Sequence, residues 1–139
     1  MDKLFEKAEN EGIEIVYDRF PKAESMCIES ECGDFVLMDN HLAKSEPDEK
    51  VHLAHELGHI MTGAFYNLYS PFDIRKKHEN RADKWAIQEL VPKDELDRAA
   101  EKGYHEVYEL AEYFNVTEEF MQKAICWYTH GNLAVECYY

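Results

Sequence analysis

The chain has 139 residues, 45% of them hydrophobic and 13% aromatic, which suits one compact domain with a single core and excludes an intrinsically disordered protein. Fifteen Lys and Arg against 29 Asp and Glu leave a formal net charge of -14, a surface that repels duplex DNA, RNA and anionic membranes but remains compatible with a basic protein partner. No apolar run is long enough to span a membrane and the acidic start MDKLFEKAENEG is unlike a signal peptide, so a cytoplasmic protein is expected.

The elements follow in chain order. Leu4, Phe5 and Ala8 recur at helical spacing over residues 2–11 until Gly12 interrupts them. Three β-rich runs come next, at Ile13 to Tyr17, Ser25 to Ile28 and Phe35 to Met38. The last two flank Glu31, Cys32, Gly33 and Asp34, where Gly33 is the natural turn residue, so the spacing predicts a three-stranded antiparallel sheet. Ser45 as N-cap, Pro47 in the first turn and Asp48 at the capping-box position then open a long helix ending near Thr62. An aromatic loop from Gly63 to Pro71 leads into a second long helix over about Ile74 to Leu90. Shorter helices are expected at about Asp94 to Lys102, Tyr104 to Phe114 and Thr117 to Tyr128, with Thr117 as N-cap of the last. Cys27, Cys32, Cys126 and Cys137 are too sparse for a stapled scaffold and read as free thiols, because a metal site on Cys27 and Cys32 lacks a second pair close by.

Chemistry concentrates in His55-Glu56-Leu57-Gly58-His59. On a helix, positions i and i+4 share a face, so His55 and His59 can offer two imidazole nitrogens to one Zn²⁺ while Glu56 serves as general base toward water. Leu53, Leu57, Ile60 and Ala64 fall on one side of that helix, and His52, His55, Glu56 and His59 on the other. A glycine at position 58 costs helix stability, which is easier to understand if another backbone or a substrate passes close by.

A catalytic zinc takes three protein ligands and keeps one position open. Glu79 and Asp83, again at i and i+4, supply a candidate third ligand and a carboxylate to accept the second N–H of a ligand histidine. Two other readings stand beside this one: a solvated acidic face among Arg75, Lys76, Lys77, Arg81 and Lys84, and His78 as third ligand, about 100° round the helix. For the oxyanion, Tyr66, Tyr69 and His52 are within reach by sequence, with Tyr66 preferred. Together these features point to one domain of α+β class over residues 1–139, a small antiparallel sheet packed on a helical, zincin-like catalytic core at about 35–92, with C-terminal helices over about 93–139.

Residues 53–59 (LAHELGH), 61–66 (MTGAFY), 79–87 (ENRADKWAI) and 90–92 (LVP) resemble the ImmA/IrrE family of metallo-endopeptidases, a likeness extending from about Phe35 to Phe120. The resemblance implies one zinc per chain held by His55, His59 and Glu79, with Glu56 as general base and Asp83 behind the ligands. It also implies a regulatory protease that cleaves or antagonises a helix-turn-helix repressor, typically of a phage or mobile element. The net charge favours such a basic partner independently. A chain that binds and sequesters the repressor without cutting it is the alternative. Leu110 to Ile125 also has helix-turn-helix rhythm, but from Tyr104 onward six glutamates face Lys123 alone, which opposes direct nucleic-acid binding and favours a helical pair bracing the site.

Overall fold

The computed structural model describes residues 2–18, 25–30, 33–39, 45–63 and 72–131. The chain runs α1 (Asp2–Asn10), β1 (Ile13–Asp18), β2 (Ser25–Ser30), β3 (Gly33–Asp39), α2 (Glu46–Thr62), α3 (Phe72–Leu90), α4 (Lys93–Glu101), α5 (Val107–Phe114) and α6 (Glu118–His130). This is an α+β architecture, mostly helical, with one small sheet.

The sheet corrects the sequence expectation. Its order is β1-β3-β2, with β3 antiparallel to β2 but parallel to β1, so the sheet is mixed rather than antiparallel. The reason lies in composition. Phe35-Val36-Leu37-Met38 is the longest unbroken apolar run among the three strands, against Ile15-Val16-Tyr17 in β1 and Met26-Cys27-Ile28 in β2. The strand with the longest apolar run takes the centre, where both edges are hydrogen-bonded and Val36 and Met38 are fully buried. Gly33 and Asp34, expected in the turn, are already in β3, pairing with Ser30 and Glu29.

Local chemistry sets most helix boundaries. The Ser45 hydroxyl accepts from the Asp48 N–H at 3.3 Å to start α2, and Gly63 closes it in the left-handed region at φ 67°. Thr117 likewise caps α6 through the Phe120 N–H at 3.2 Å. α5 starts at Val107, later than the periodicity predicts, because Gly103 takes φ 98° and the Tyr104 N–H turns back to the Ala99 carbonyl. Gly103 and Tyr104 therefore finish α4 before α5 can begin.

One core joins these elements: Leu4 and Ala8 of α1, Val36 and Met38 of β3, Leu53 and Leu57 of α2, Ala86 and Ile87 of α3, and Leu110, Phe120 and Met121 from the C-terminal pair. Phe5, grouped with Leu4 and Ala8 by spacing, is instead 37% exposed with its ring 6.3 Å from that of Tyr17. α2 lies between the sheet and α3. Lys50 of α2 donates to the Phe114 carbonyl at 2.9 Å, tying the C-terminal end of α5 to the same helix. Among the described residues, no helix is long and apolar enough to cross a membrane.

Candidate metal centre

α2 is not half-solvated, as the helical wheel suggests. Leu53 and Leu57 are buried as expected, but Glu56 and His59 on the opposite side are buried too, because α3 covers that side. What permits the cover is Gly58. A Cβ there would stand 2.6 Å from the Ala82 carbonyl oxygen and 3.1 Å from its Cα, so only glycine lets the α3 backbone come this close. The neighbour foreseen for Gly58 is thus α3 itself, and its approach carries Glu79 and Asp83, one turn apart on that helix, up to His55 and His59.

The resulting geometry is compact. His55 Nε2 lies 3.2 Å from His59 Nε2 and 2.6 Å from Glu79 Oε2, while His59 Nε2 lies 3.1 Å from Glu79 Oε1. Zinc bonds to nitrogen and oxygen of about 2.0–2.1 Å in a tetrahedron imply donor separations of about 3.3 Å, close to the two longer distances. Two ring nitrogens facing each other with a carboxylate across both would oppose their lone pairs unless a proton or a cation lay between them. The donor set therefore fits a divalent ion. Among the described residues, His55, His59 and Glu79 are the group of three brought close enough to share one. His78, the rival ligand, is not part of it.

Behind the ligands, Asp83 Oδ1 accepts a hydrogen bond from His55 Nδ1 at 2.6 Å, which fixes the tautomer and leaves Nε2 turned toward Glu79. Burial, the largest single influence on His55, pushes its pKa down; Asp83 and Glu79 together outweigh it and carry the pKa up to about 10. The two carboxylates thus favour the protonated form of the His55 ring. Asp83 Oδ2 is met from the other side by Lys123 Nζ of α6 at 3.7 Å, a neighbour that sequence reasoning did not connect with the site. Its one signal in the sequence, as the sole Lys or Arg from Gly103 to Tyr139, bore there only on nucleic-acid binding.

Glu56 follows His55 directly, about 100° further round α2, buried at 9% exposure. His52 is directed to Asp48, its Nε2 3.5 Å from Oδ1 one turn earlier on α2. Tyr66 and Tyr69 lie outside the described residues, as do Cys32 and Cys137. Cys126 forms no disulfide among the described residues.

A His-His-Glu group assembled by two packed helices, with the first histidine held by a further carboxylate, is a metal-site arrangement of the kind found in metallopeptidases. The family comparison agrees: a model of the IrrE N-terminal-like domain, a peptidase family, matches residues 8–125. This chain belongs to that family. A Mycobacterium tuberculosis transcriptional regulator shares the fold with a TM-score of 0.65 at 18% identity, over 86% of this chain and 38% of that one. This chain thus spans well under half the length of that regulator. Comparison with curated proteins gives no match.

Proposed function

We propose that the chain is a zinc-dependent endopeptidase whose metal ligands are His55, His59 and Glu79, whose general base is Glu56, and whose Asp83 orients His55. The convergence of three donor atoms from α2 and α3 on one point carries this reading. A bound zinc ion supplies Lewis acidity toward a peptide carbonyl and toward water. Two imidazoles and one carboxylate leave one position open, which favours zinc in a catalytic setting. Glu56 takes the proton of the attacking water and passes it to the leaving amine nitrogen. Asp83 keeps the His55 ring in the tautomer that presents Nε2. Tyr66 is the residue we assign to oxyanion stabilisation, on the sequence alone.

The single-domain reading, with a core at about 35–92 and bracing helices over about 93–139, fits this role, as does a cytoplasmic setting. The substrate we favour is a protein, a basic helix-turn-helix repressor such as a phage or mobile element encodes, because a net charge of -14 attracts a DNA-binding surface. A site within one small domain reaches an exposed linker or locally unfolded segment more readily than a folded body. That same charge favours a second reading, sequestration of the repressor without cleavage.

The deciding experiment uses zinc-loaded wild-type and Glu56→Gln protein with a purified helix-turn-helix repressor. Glu56→Gln is expected to keep the metal and the fold and to lose hydrolysis. Fragments with the wild type alone establish proteolysis; release of the repressor from DNA by both, without fragments, establishes sequestration. Full activity in Glu56→Gln would overturn the mechanism, and unchanged zinc stoichiometry in Glu79→Ala would move the third ligand elsewhere.

A further inference from the structure

We infer that Lys123 is a positioning residue for the metal centre, acting from α6 through Asp83 on His55. The inference rests on the proposed metal site and extends it to a helix that contributes no ligand. Lys123 Nζ lies 3.7 Å from Asp83 Oδ2, an ion-pair separation, and Asp83 Oδ1 lies 2.6 Å from His55 Nδ1, so one carboxylate has a hydrogen bond at one oxygen and an ammonium facing the other. An aspartate with a single partner can turn about its χ angles and let that hydrogen bond go. One with an ammonium facing its second oxygen is drawn toward the orientation that keeps the first aimed at the ring.

Lys123 is not needed to place α6. Phe120, Met121 and Ala124 are buried in the core, and the Tyr128 hydroxyl donates to the Val91 carbonyl at 2.8 Å just beyond α3. These contacts fix α6 against α3 on both sides of position 123. From Gly103 to Tyr139 the sequence holds six glutamates and no Lys or Arg except Lys123. The lone cation of that region is half-buried with its ammonium at Asp83, a carboxylate on the helix that also carries Glu79.

The sign of one measurement separates this role from a simple charge effect. A lysine that acted only as a positive charge near a bound cation would repel it, and its removal would raise metal affinity. A lysine that orients Asp83 does the opposite. In the full chain, Lys123→Met is expected to weaken zinc binding roughly 3- to 10-fold by chelator competition, somewhat less than loss of a carboxylate directly behind a ligand. Lys123→Arg, which keeps charge and reach, should restore affinity to within about twofold of wild type. The thermal midpoint of the metal-free chain should stay near wild type in both variants, and Lys123→Gln serves in place of the methionine variant if that one folds poorly.

A second readout is solvent exchange of the His55 Nδ1 proton, followed by nitrogen-15 NMR in the metal-free chain. Lys123→Met should accelerate it and Lys123→Arg should not. Unchanged or raised zinc affinity together with unchanged exchange in Lys123→Met overturns the inference. Should the wild type itself bind no zinc, the metal reading falls, while the exchange measurement still decides whether Lys123 holds Asp83 against His55.

Discussion

Where α2 meets α3, backbone touches backbone: Gly58 leaves no room for a methyl group against the Ala82 carbonyl. In the sheet, by contrast, β3 contributes to the core through the side chains of Val36 and Met38, fully buried and replaceable by other apolar groups of similar size. The first contact has no tolerance in distance, because a peptide carbonyl cannot be trimmed or turned to another rotamer. The second contact relaxes by side-chain adjustment. The difference teaches why the metal ligands sit on the helix pair. His55, His59, Glu79 and Asp83 need a separation between two helices held to a fraction of an ångström, and the glycine contact supplies that constraint within one turn of the ligands.

The contrast can be broken most severely at Gly58. Gly58→Val should cost about 3 kcal/mol in denaturant unfolding and lower zinc affinity sharply, because α3 must move away from α2. Retention of wild-type zinc affinity in that variant would show that the backbone contact does not set the site. Next comes Asp83→Ala, which leaves the helix spacing alone and is expected to weaken zinc binding roughly 10- to 100-fold with a smaller effect on the fold. In its metal-free form the His55 pKa should fall from about 10, since the hydrogen bond and charge that raise it are gone; an NMR titration reads this directly.

Val36→Ala sharpens the other side of the comparison. Trimming a fully buried strand residue should cost about 2 kcal/mol of stability and leave zinc affinity within about twofold. A large loss of zinc binding there would mean that the sheet, not the glycine contact, sets the ligand positions. The smallest effect is expected at Lys7, which pairs with Glu89 at 2.8 Å and lies 5.6 Å from the Trp85 ring centroid, clasping α1 to the far end of α3. Lys7→Met should cost about 0.5–1 kcal/mol, in keeping with a partly exposed ion pair, and change neither zinc binding nor the response to Glu56→Gln.

Some of this was legible in the chain because its causes are local. Ser45, Gly63 and Thr117 act on backbone groups within a few residues, so the limits of α2 and the start of α6 follow from their chemistry. The i, i+4 spacing of His55 with His59, and of Glu79 with Asp83, places each pair on one helix face whatever surrounds it. Even the need for a close neighbour at Gly58 was readable, although its identity was not.

Other features depended on which distant segments meet. Three apolar runs are compatible with several strand orders, and β1-β3-β2 places the strand with the longest apolar run between two partners. Whether Glu79 or His78 turned to the histidines depended on the rotation of α3 against α2, set by Ala82 packing over Gly58. Lys123 reached Asp83 only because Phe120, Met121 and Tyr128 dock α6 beside α3, 40 residues further along the chain (123 - 83). Caps and periodicity act over one or two helical turns and can be read from neighbouring letters; strand order, helix rotation and the partner of a carboxylate are settled by close packing among segments that the sequence keeps far apart.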